Sequence, residues 1–200
     1  MSNVLGIIAE YNPFHNGHLH HLIESKKITN SDYTIAIMSG NFTQRGEVSI
    51  VDKWEKTRMA SSNGVDLVIE LPTLYAISSA ENFASGAIKI LNSLGIVDFL
   101  SFGSESNDIS LLDDIANVLA FEPAQYKTLL SHELARGESF PKARENAVMM
   151  YLNNVRRFAN VLSSPNNILG IEYLKSLKRQ KSKIKPITIK REGSKYNDTK

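Results

Sequence analysis

Two histidines lie three residues apart in the segment His15-Asn16-Gly17-His18, which follows a short apolar run and opens a helix-like stretch. At this spacing both imidazoles can face the same way at the start of a helix. Gly17 lets a ligand approach the backbone closely, and a helix N-terminus attracts anions. Imidazoles hydrogen-bond phosphate oxygens and, when protonated, balance negative charge. The segment therefore predicts a phosphate site at which His15 and His18 assist the departure of pyrophosphate.

The same segment also permits a metal-binding interpretation, because four histidines occur within seven residues: His15, His18, His20 and His21. No carboxylate partner is expected on the same face, so we predict no metal at this cluster. A second alternative is that the histidines only pack in the core or lie on the surface. His20 and His21 in particular are typical of ordinary helix residues.

Apolar runs alternate with helical patterns over the first half of the chain. Strands are predicted at 4–9, 33–38, 65–71 and 96–102, with helices at 18–27, 51–62 and 80–94. Further helices are predicted at 109–119, 123–134, 141–157 and 167–177, followed by an edge strand at 184–189. Nearly continuous apolar strands between helices are typical of a parallel sheet covered on both faces. We therefore predict an α/β fold, a Rossmann-like doubly wound parallel sheet with a helical segment after the fourth strand.

In such a sheet, ligands bind beyond the carboxyl ends of the strands. The second strand is followed by polar residues that we expect to form a second wall of the site: Ser39, Gly40, Gln44 and Arg45. Arg45 can bind a carboxylate or an RNA phosphate, or form a salt bridge within a mobile loop. Phe42 and Trp54 are candidates for stacking on bases, although a tryptophan in a helical pattern is more often in the core.

The composition excludes several classes of protein. Two hundred residues with 42% hydrophobic and 22% charged residues suffice for one compact domain. The absence of cysteine excludes disulfides, thiolate metal sites and a cysteine nucleophile. No run approaches the roughly 18 apolar residues of a membrane span, and no secretory signal is recognisable. We therefore expect a cytoplasmic protein with no membrane function.

The charge is unevenly distributed along the chain. Residues 1–174 carry 13 Lys/Arg against 19 Asp/Glu, a balance of −6, whereas residues 175–200 carry 10 against 2, a balance of +8. The basic residues form a run: Lys175, Lys178, Arg179, Lys181, Lys183 and Lys185. Such a run can contact nucleic-acid phosphates, or it can be the solvated end of a helix.

Longer stretches of the sequence resemble a known family. A histidine pair of this spacing after a first strand is similar to the HxGH signature of the nucleotidylyltransferase superfamily. The stretches are EYNPFHNGHLHH at 10–21, MSGNFTQRG at 38–46, KWEKTRMA at 53–60, GVDLVIELP at 64–72, FGSE at 102–105 and SPNNILGIEY at 164–173. Together they resemble the tRNA(Met) cytidine acetate ligase family of bacteria over nearly the whole chain.

The resemblance implies an enzyme that activates acetate with ATP, forming acetyl-adenylate and pyrophosphate. The acetyl group then passes to N4 of the wobble cytidine of elongator tRNA(Met). ATP is the implied cofactor, with Mg²⁺ accompanying its phosphates. His15 and His18 are the implied catalytic residues. No protein partner is predicted.

The resemblance also implies which residues form the ATP site. They are Ile8, Ala9, Glu10, Tyr11, Asn12, Pro13, Phe14, His15, Asn16, Gly17, His18, Leu19, His20, His21, Gly103, Asn166 and Arg191. Gly103, expected just past the fourth strand, would admit adenine or ribose, or is a plain turn glycine. The amide of Asn166 can donate and accept hydrogen bonds, or cap a helix. Arg191 would hold phosphate.

Members of this family are about twice as long as this chain, a length that adds a second domain. They carry a Ser/Thr-rich Ile-Arg motif beyond the region of Arg191. Residues 1–191 are therefore expected to form the catalytic domain, and 192–200 a polar tail leading to a C-terminal domain absent from this chain. Alone, the chain is expected to bind ATP with weak or no ligase activity.

Two other functions remain open. The HxGH pattern also occurs in enzymes that transfer an adenylyl or cytidylyl group. The chain can also be a nucleotide-binding or RNA-binding module without catalysis.

Overall fold

A computed structural model describes residues 2–153, 155–158 and 161–190 of the chain. Five strands form one sheet: β1 (Val4–Ala9), β2 (Tyr33–Ser39), β3 (Leu67–Leu71), β4 (Phe99–Ser104) and β5 (Lys185–Lys190). Their order is β3-β2-β1-β4-β5, and every neighbouring pair is parallel. β5 lies at an edge, as expected from its proline. The predicted doubly wound parallel sheet is confirmed.

Helices connect the strands. They are α1 (Asn16–Thr29), α2 (Lys53–Ser62), α3 (Thr73–Ala76), α4 (Ala80–Leu94), α5 (Ile109–Phe121), α6 (Ala124–Ala135), α7 (Phe140–Tyr151), α8 (Val155–Phe158) and α9 (Pro165–Arg179), with a 3-10 turn at Val161–Ser163. Among the described residues, no helix is long and apolar enough to cross a membrane.

The two faces of the sheet bury different clusters, because successive strand residues point to opposite sides. In β2, Ala36 and Met38 pack with residues of α1 and α2. Ile35 and Ile37 belong instead to a larger cluster that includes residues of α4, α5 and α9. Helices therefore cover both faces, which explains why the strands are almost continuously apolar.

The fourth strand begins later than predicted. Gly95 ends α4 in the left-handed region, and the main-chain nitrogen of Asp98 then donates to Val4 O at 3.0 Å. The Asp98 carboxylate accepts from Val4 N at 2.9 Å, so residues 96–98 approach β1 through a side chain rather than as a strand. β4 also ends later, because its pairing with β5 continues to Ser104, so Gly103 lies inside β4, opposite Ile189 of β5. Its expected position just past the fourth strand is wrong, and so is the alternative of a plain turn glycine.

The predicted helix at 141–157 is interrupted. Asn153 has a φ of 50° and separates α7 from α8, since asparagine tolerates the left-handed region that ends a helix. α1 and α9 each extend two residues beyond both predicted ends. The expected tail at 192–200 lies outside the described residues, so the domain boundary at 191 stays a prediction.

Part of the basic run is committed to ion pairs that hold α9 in place. Glu81 of α4 lies 2.9 Å from Lys175 Nζ and 2.8 Å from Arg179 Nη1. Lys178 Nζ lies 2.9 Å from the Asp113 carboxylate of α5. The Lys175 side chain is only 8% exposed, and its hydrogen bond holds the pKa of Glu81 below its usual range.

The interpretation of the run as a phosphate-binding or solvated surface is therefore wrong for Lys175, which is buried. Lys178 is half-buried and Arg179 is exposed, and both pair with carboxylates far away in the sequence, which the run alone did not indicate. Phosphate contact stays a prediction for the exposed members of the run: Arg179, Lys181, Lys183 and Lys185.

Gly170 lets α9 pack closely on β4, because a Cβ at this position would lie 2.5 Å from Cε2 of Phe102. We expect Gly170→Ala to lower the free energy of unfolding by about 1–3 kcal/mol through overpacking, despite the higher helix propensity of alanine. Urea denaturation measures this change. Ser93→Ala, at an exposed helical position, is the control and should stay within about 0.5 kcal/mol of the parent. Equal stability of the Gly170 variant and the parent would contradict the packing argument.

Candidate functional site

The loop between β1 and α1 starts at the carboxyl end of the central strand. β2 lies on one side of β1 and β4 on the other, so the chain changes direction across the sheet at this point. Such a switch point leaves a crevice beyond the carboxyl ends of the strands. The N-terminus of α1 begins at Asn16, on this edge of the sheet.

His15 and His18 form a reciprocal cap at the start of α1. Nδ1 of His15 accepts from Gly17 N at 3.1 Å, and Nδ1 of His18 accepts from His15 N at 3.3 Å. The two rings are stacked with centroids 3.7 Å apart. A Cβ on Gly17 would lie 3.0 Å from Cε1 of His15, so the glycine leaves room for the ring to fold back. These bonds satisfy main-chain donors that the helix cannot satisfy itself.

The cap also selects the tautomer of each ring when the ring is neutral. An Nδ1 that accepts a hydrogen bond carries no proton, so each neutral imidazole carries its proton on Nε2. A doubly protonated ring has no acceptor, so protonation of either histidine would break its cap bond. The first turn of α1, all of which the structure describes, contains no acidic residue. Two Nε2–H donors and the positive end of the helix dipole therefore favour an anion here.

The Tyr11 ring packs against His18 of the histidine pair. Its ring meets His18 edge-on with centroids 4.8 Å apart and contacts Phe14 in the same manner at 4.9 Å. Tyr11 has a φ of 46°, an uncommon conformation for a bulky residue that is often found at functional sites. Burial raises the pKa of its hydroxyl, which therefore stays protonated. Because the side chain is buried, a nucleotide would contact Tyr11 only through the main chain.

The remaining predicted loop residues lie at the same edge. Ile8 and Ala9 end β1, and Glu10, Asn12, Pro13, Phe14 and Leu19 are half-buried, whereas Asn16 is exposed. Glu10 Oε1 accepts from Gln44 N at 2.5 Å, and Asn12 Oδ1 accepts from Ile50 N at 2.7 Å. These two side chains attach the loop that follows β2 to the histidine loop.

His20 and His21 do not join the first two histidines. His20 is exposed and lines a groove together with Thr188 and Lys190 of β5. His21 Nε2 lies 3.0 Å from Ser101 Oγ in β4, where it helps to pack α1 on the sheet. Within the described residues, no group of three or more His, Asp or Glu side chains is arranged to hold a metal ion.

The predicted second wall is present at the end of β2. Ser39 is the last residue of the strand, and a Cβ on Gly40 would meet Oε1 of Glu70, the end of an exposed and flexible side chain that can move aside. Gln44 bonds Glu10 as described, and Arg45 is exposed at the turn that Gly46 closes with a φ of 79°. The structure thus brings this wall against the histidine loop.

The two candidate stacking residues lie at the surface of this wall. Phe42 is exposed, and Trp54 is 69% exposed, so it is not a core residue. Lys53 Nζ lies 5.4 Å from the centroid of the Trp54 ring.

Lys56 of α2 lies in the stretch KWEKTRMA, but the sequence predicted no role for it in the site. Its side chain is fully buried, and its Nζ donates to Glu10 O at 3.0 Å, Ser39 O at 2.8 Å and Ser49 Oγ at 3.2 Å. Burial lowers the pKa of Lys56, and the nearby carboxylates of Glu10 and Glu70 oppose this effect. Its spacing from Ala60, four residues later on the same buried face of α2, was the available signal.

Glu105, in the loop after β4, is a second residue without a predicted role. Its carboxylate accepts from Asn166 Nδ2 at 2.7 Å and from Asn167 N at 2.9 Å. In return, Asn167 Oδ1 accepts from Glu105 N at 3.0 Å. The carboxylate therefore caps α9, and Ser164, which precedes this helix, makes no side-chain cap. Glu105, two residues after Gly103, thus holds Asn166 near the end of β4. Arg191 lies outside the described residues.

A family model described as HIGH Nucleotidyl Transferase matches residues 2–200. The chain belongs to the HIGH nucleotidyl transferase family. The match spans all of the site residues described above. The reciprocal histidine cap, the switch point and the two attached loops are therefore features of a member of this family.

This HIGH nucleotidyl transferase is 58% identical to the tRNA(Met) cytidine acetate ligase of Acetivibrio thermocellus over 194 residues, which is 97% of this chain and 47% of the relative. The enzyme of the same name from Thermoanaerobacter sp. is 58% identical over 96% of this chain and 48% of the relative. The chain spans about half the length of the curated relatives it matches.

Two solved structures of Thermotoga maritima TmcAL have the same fold. The apo structure superposes with a TM-score of 0.95 at 45% identity, over 99% of this chain and 48% of that chain. The structure bound with alpha-thio ATP gives a TM-score of 0.93 at 44% identity, over 98% and 48%.

The cap makes His15 a structural residue as well as a candidate ligand-binding residue. We expect His15→Ala to lower the free energy of unfolding by about 1 kcal/mol, because the Gly17 amide loses its acceptor. The free energy of unfolding of His15→Asn should stay within roughly a few tenths of a kcal/mol of that of the parent, since asparagine is a favoured N-cap residue. Urea denaturation distinguishes the two variants. Equal loss of stability in both variants, or none in either, would show that His15 does not cap α1.

Proposed function

We propose that this protein activates acetate with ATP and transfers the acetyl group to N4 of the wobble cytidine of elongator tRNA(Met). One observation carries the nucleotide part of the proposal: two imidazoles at the N-terminus of α1, each with its proton on Nε2, at the switch point of the sheet. The acetate and tRNA parts are supported by the names of relatives that are 54–58% identical to this chain.

In the first step, an oxygen of acetate attacks the α-phosphorus of ATP. The bond between that phosphorus and its bridging oxygen breaks, and pyrophosphate leaves with the bonding electrons. The Nε2–H groups of His15 and His18 would donate to the phosphate oxygens as this charge develops, and the positive end of the α1 dipole would stabilise the same charge. Gly17 keeps the helix terminus accessible to the phosphates.

Mg²⁺ would accompany ATP, since phosphate and water oxygens suit it better than imidazole. The described residues offer it no cluster of three carboxylate or imidazole ligands. Its ligands in this proposal are therefore phosphate oxygens and water. The adenosine would lie between the end of β4 and the start of α9, near Gly103 and Asn166, with Arg191 as a further phosphate ligand.

In the second step, N4 of the cytidine attacks the acyl carbon of acetyl-adenylate, and AMP leaves. The exposed wall beside the histidine loop is the candidate surface for the RNA, because Phe42 and Trp54 can stack on unpaired bases and Arg45 can contact phosphate. The exposed lysines at 181, 183 and 185 are further candidates. A tRNA substrate would place the protein in the cytoplasm.

The test is release of pyrophosphate from ATP by a protein that contains this chain at the full length of its relatives, measured with and without acetate and then with tRNA. We expect release to require acetate, and N4-acetylcytidine to form once tRNA(Met) is added. Release that requires a different nucleophile would support adenylyl or cytidylyl transfer of another kind. ATP binding with no release under any of these conditions would support a module without catalysis.

The histidine donors make a quantitative prediction for the first step. His15→Asn keeps the cap but loses the Nε2–H donor, so we expect acetate-dependent pyrophosphate release to fall about 100-fold to 1000-fold, as for the loss of one oxyanion donor. His132→Asn, an exposed histidine of α6, is the matched control and should leave the rate unchanged. An unchanged rate in His15→Asn would remove this histidine from the mechanism.

A further inference from the structure

Lys56 joins the ends of two neighbouring strands. Pairing between β1 and β2 ends at Ala9 and Met38, so the next residues on each strand, Glu10 and Ser39, are not joined by the ladder. Their carbonyl oxygens instead accept from the same ammonium group, at 3.0 Å and 2.8 Å. The lysine thus extends the connection between the strands by one step beyond the sheet.

The same ammonium reaches the loop that follows β2. Its third hydrogen bond is to Ser49 Oγ, and Ser49 N donates to Asn41 O at 2.9 Å. Together with the Glu10–Gln44 and Asn12–Ile50 bonds, this gives three attachments between residues 40–50 and the histidine loop. Lys56 is the attachment that also fixes both strand ends.

The cost of this arrangement argues for a role beyond packing. A fully buried charge is unfavourable unless it is well paired, and an apolar side chain of similar length would often be at least as stable. All three donors of the ammonium are used by main-chain or hydroxyl oxygens. The group therefore has no donor left for a ligand and acts through the segments it holds.

We propose that Lys56 is a positioning residue that holds the histidine loop in the conformation that binds ATP. Glu10 is the last residue before Tyr11, where the chain enters the left-handed region and turns toward His15 and His18. Holding Glu10 O and Ser39 O together fixes the direction in which this loop leaves β1. The inference rests on the proposed function, because it assigns ATP to this loop.

The test compares Lys56→Met, which keeps the length of the side chain and removes its donors, with Lys56→Arg, which keeps the charge. Lys89→Met, an exposed lysine of α4, is the control. Titration calorimetry gives the Kd for ATP, under conditions where urea denaturation shows each variant to be folded. Hydrogen exchange of the Gln44 and Ile50 amides reports whether the two loops remain attached.

We expect Lys56→Met to raise the Kd for ATP at least tenfold and to speed exchange of both amides, with no change in the amides of α9. Lys56→Arg should give an intermediate Kd, and Lys89→Met should match the parent. A folded Lys56→Met variant with the parent Kd would overturn the proposal. If Lys56→Met does not fold, the same two measurements on Lys56→Arg test the proposal. Faster exchange of the Gln44 and Ile50 amides together with an unchanged Kd for ATP would then overturn the proposal as well.

Failure of this inference differs from failure of the proposed function. If the parent chain does not bind ATP, the proposed function fails, whatever the variants do. Loss of protection at Gln44 and Ile50 in Lys56→Met would still show that the lysine holds the two loops together. A parent that binds ATP alongside an equally competent Lys56→Met leaves the proposed function intact and removes only the role of Lys56.

Discussion

The reciprocal cap between His15 and His18 is the interaction on which the site depends. A helix that begins at an open sheet edge has main-chain donors without partners, and here the imidazoles supply the acceptors through Nδ1. The same bonds put the proton of each ring on Nε2. One set of contacts therefore starts the helix, orients both rings and selects the neutral tautomer with its donor at Nε2. Gly17 makes this possible by leaving space beside the His15 ring.

Polar side chains attach the neighbouring loops to this centre. On one side, Lys56 and Glu10 hold the loop after β2 against the histidine loop. On the other side, Glu105 holds the start of α9 beside the end of β4. Loops at a sheet edge have few apolar contacts, so directed hydrogen bonds to charged groups determine their positions. The crevice of this HIGH nucleotidyl transferase is thus bounded by segments that specific charged side chains fix in place.

Local sequence signals predicted the architecture and the centre of the site, but not its supports. Apolar runs indicated the strands, and the spacing of His15 and His18 indicated the anion site. Lys56 and Glu105 were not assigned roles because all of their partners except Ser49 lie 17 to 62 residues away, a separation that local patterns do not reveal. Gly103 was misplaced because β4 pairs with β5 as far as Ser104, and β5 lies more than 80 residues later in the sequence. Lys175 was misread as a residue of a solvated or phosphate-binding run because one of its carboxylate partners, Glu81, lies on α4, far away in the sequence.

In the proposed function, neutral imidazoles that carry their proton on Nε2 bind the phosphates of ATP at the start of α1. The most direct measurement is the ¹⁵N chemical shift of both ring nitrogens of His15 and His18, assigned by NMR and followed during titration with ATP. We expect both rings to carry the proton on Nε2 before ATP is added. On binding, the ¹⁵N shift of each Nε2 should move while Nδ1 remains an acceptor. Protonation on Nδ1 in either ring, or ATP binding that leaves both Nε2 shifts unchanged, would contradict this expectation.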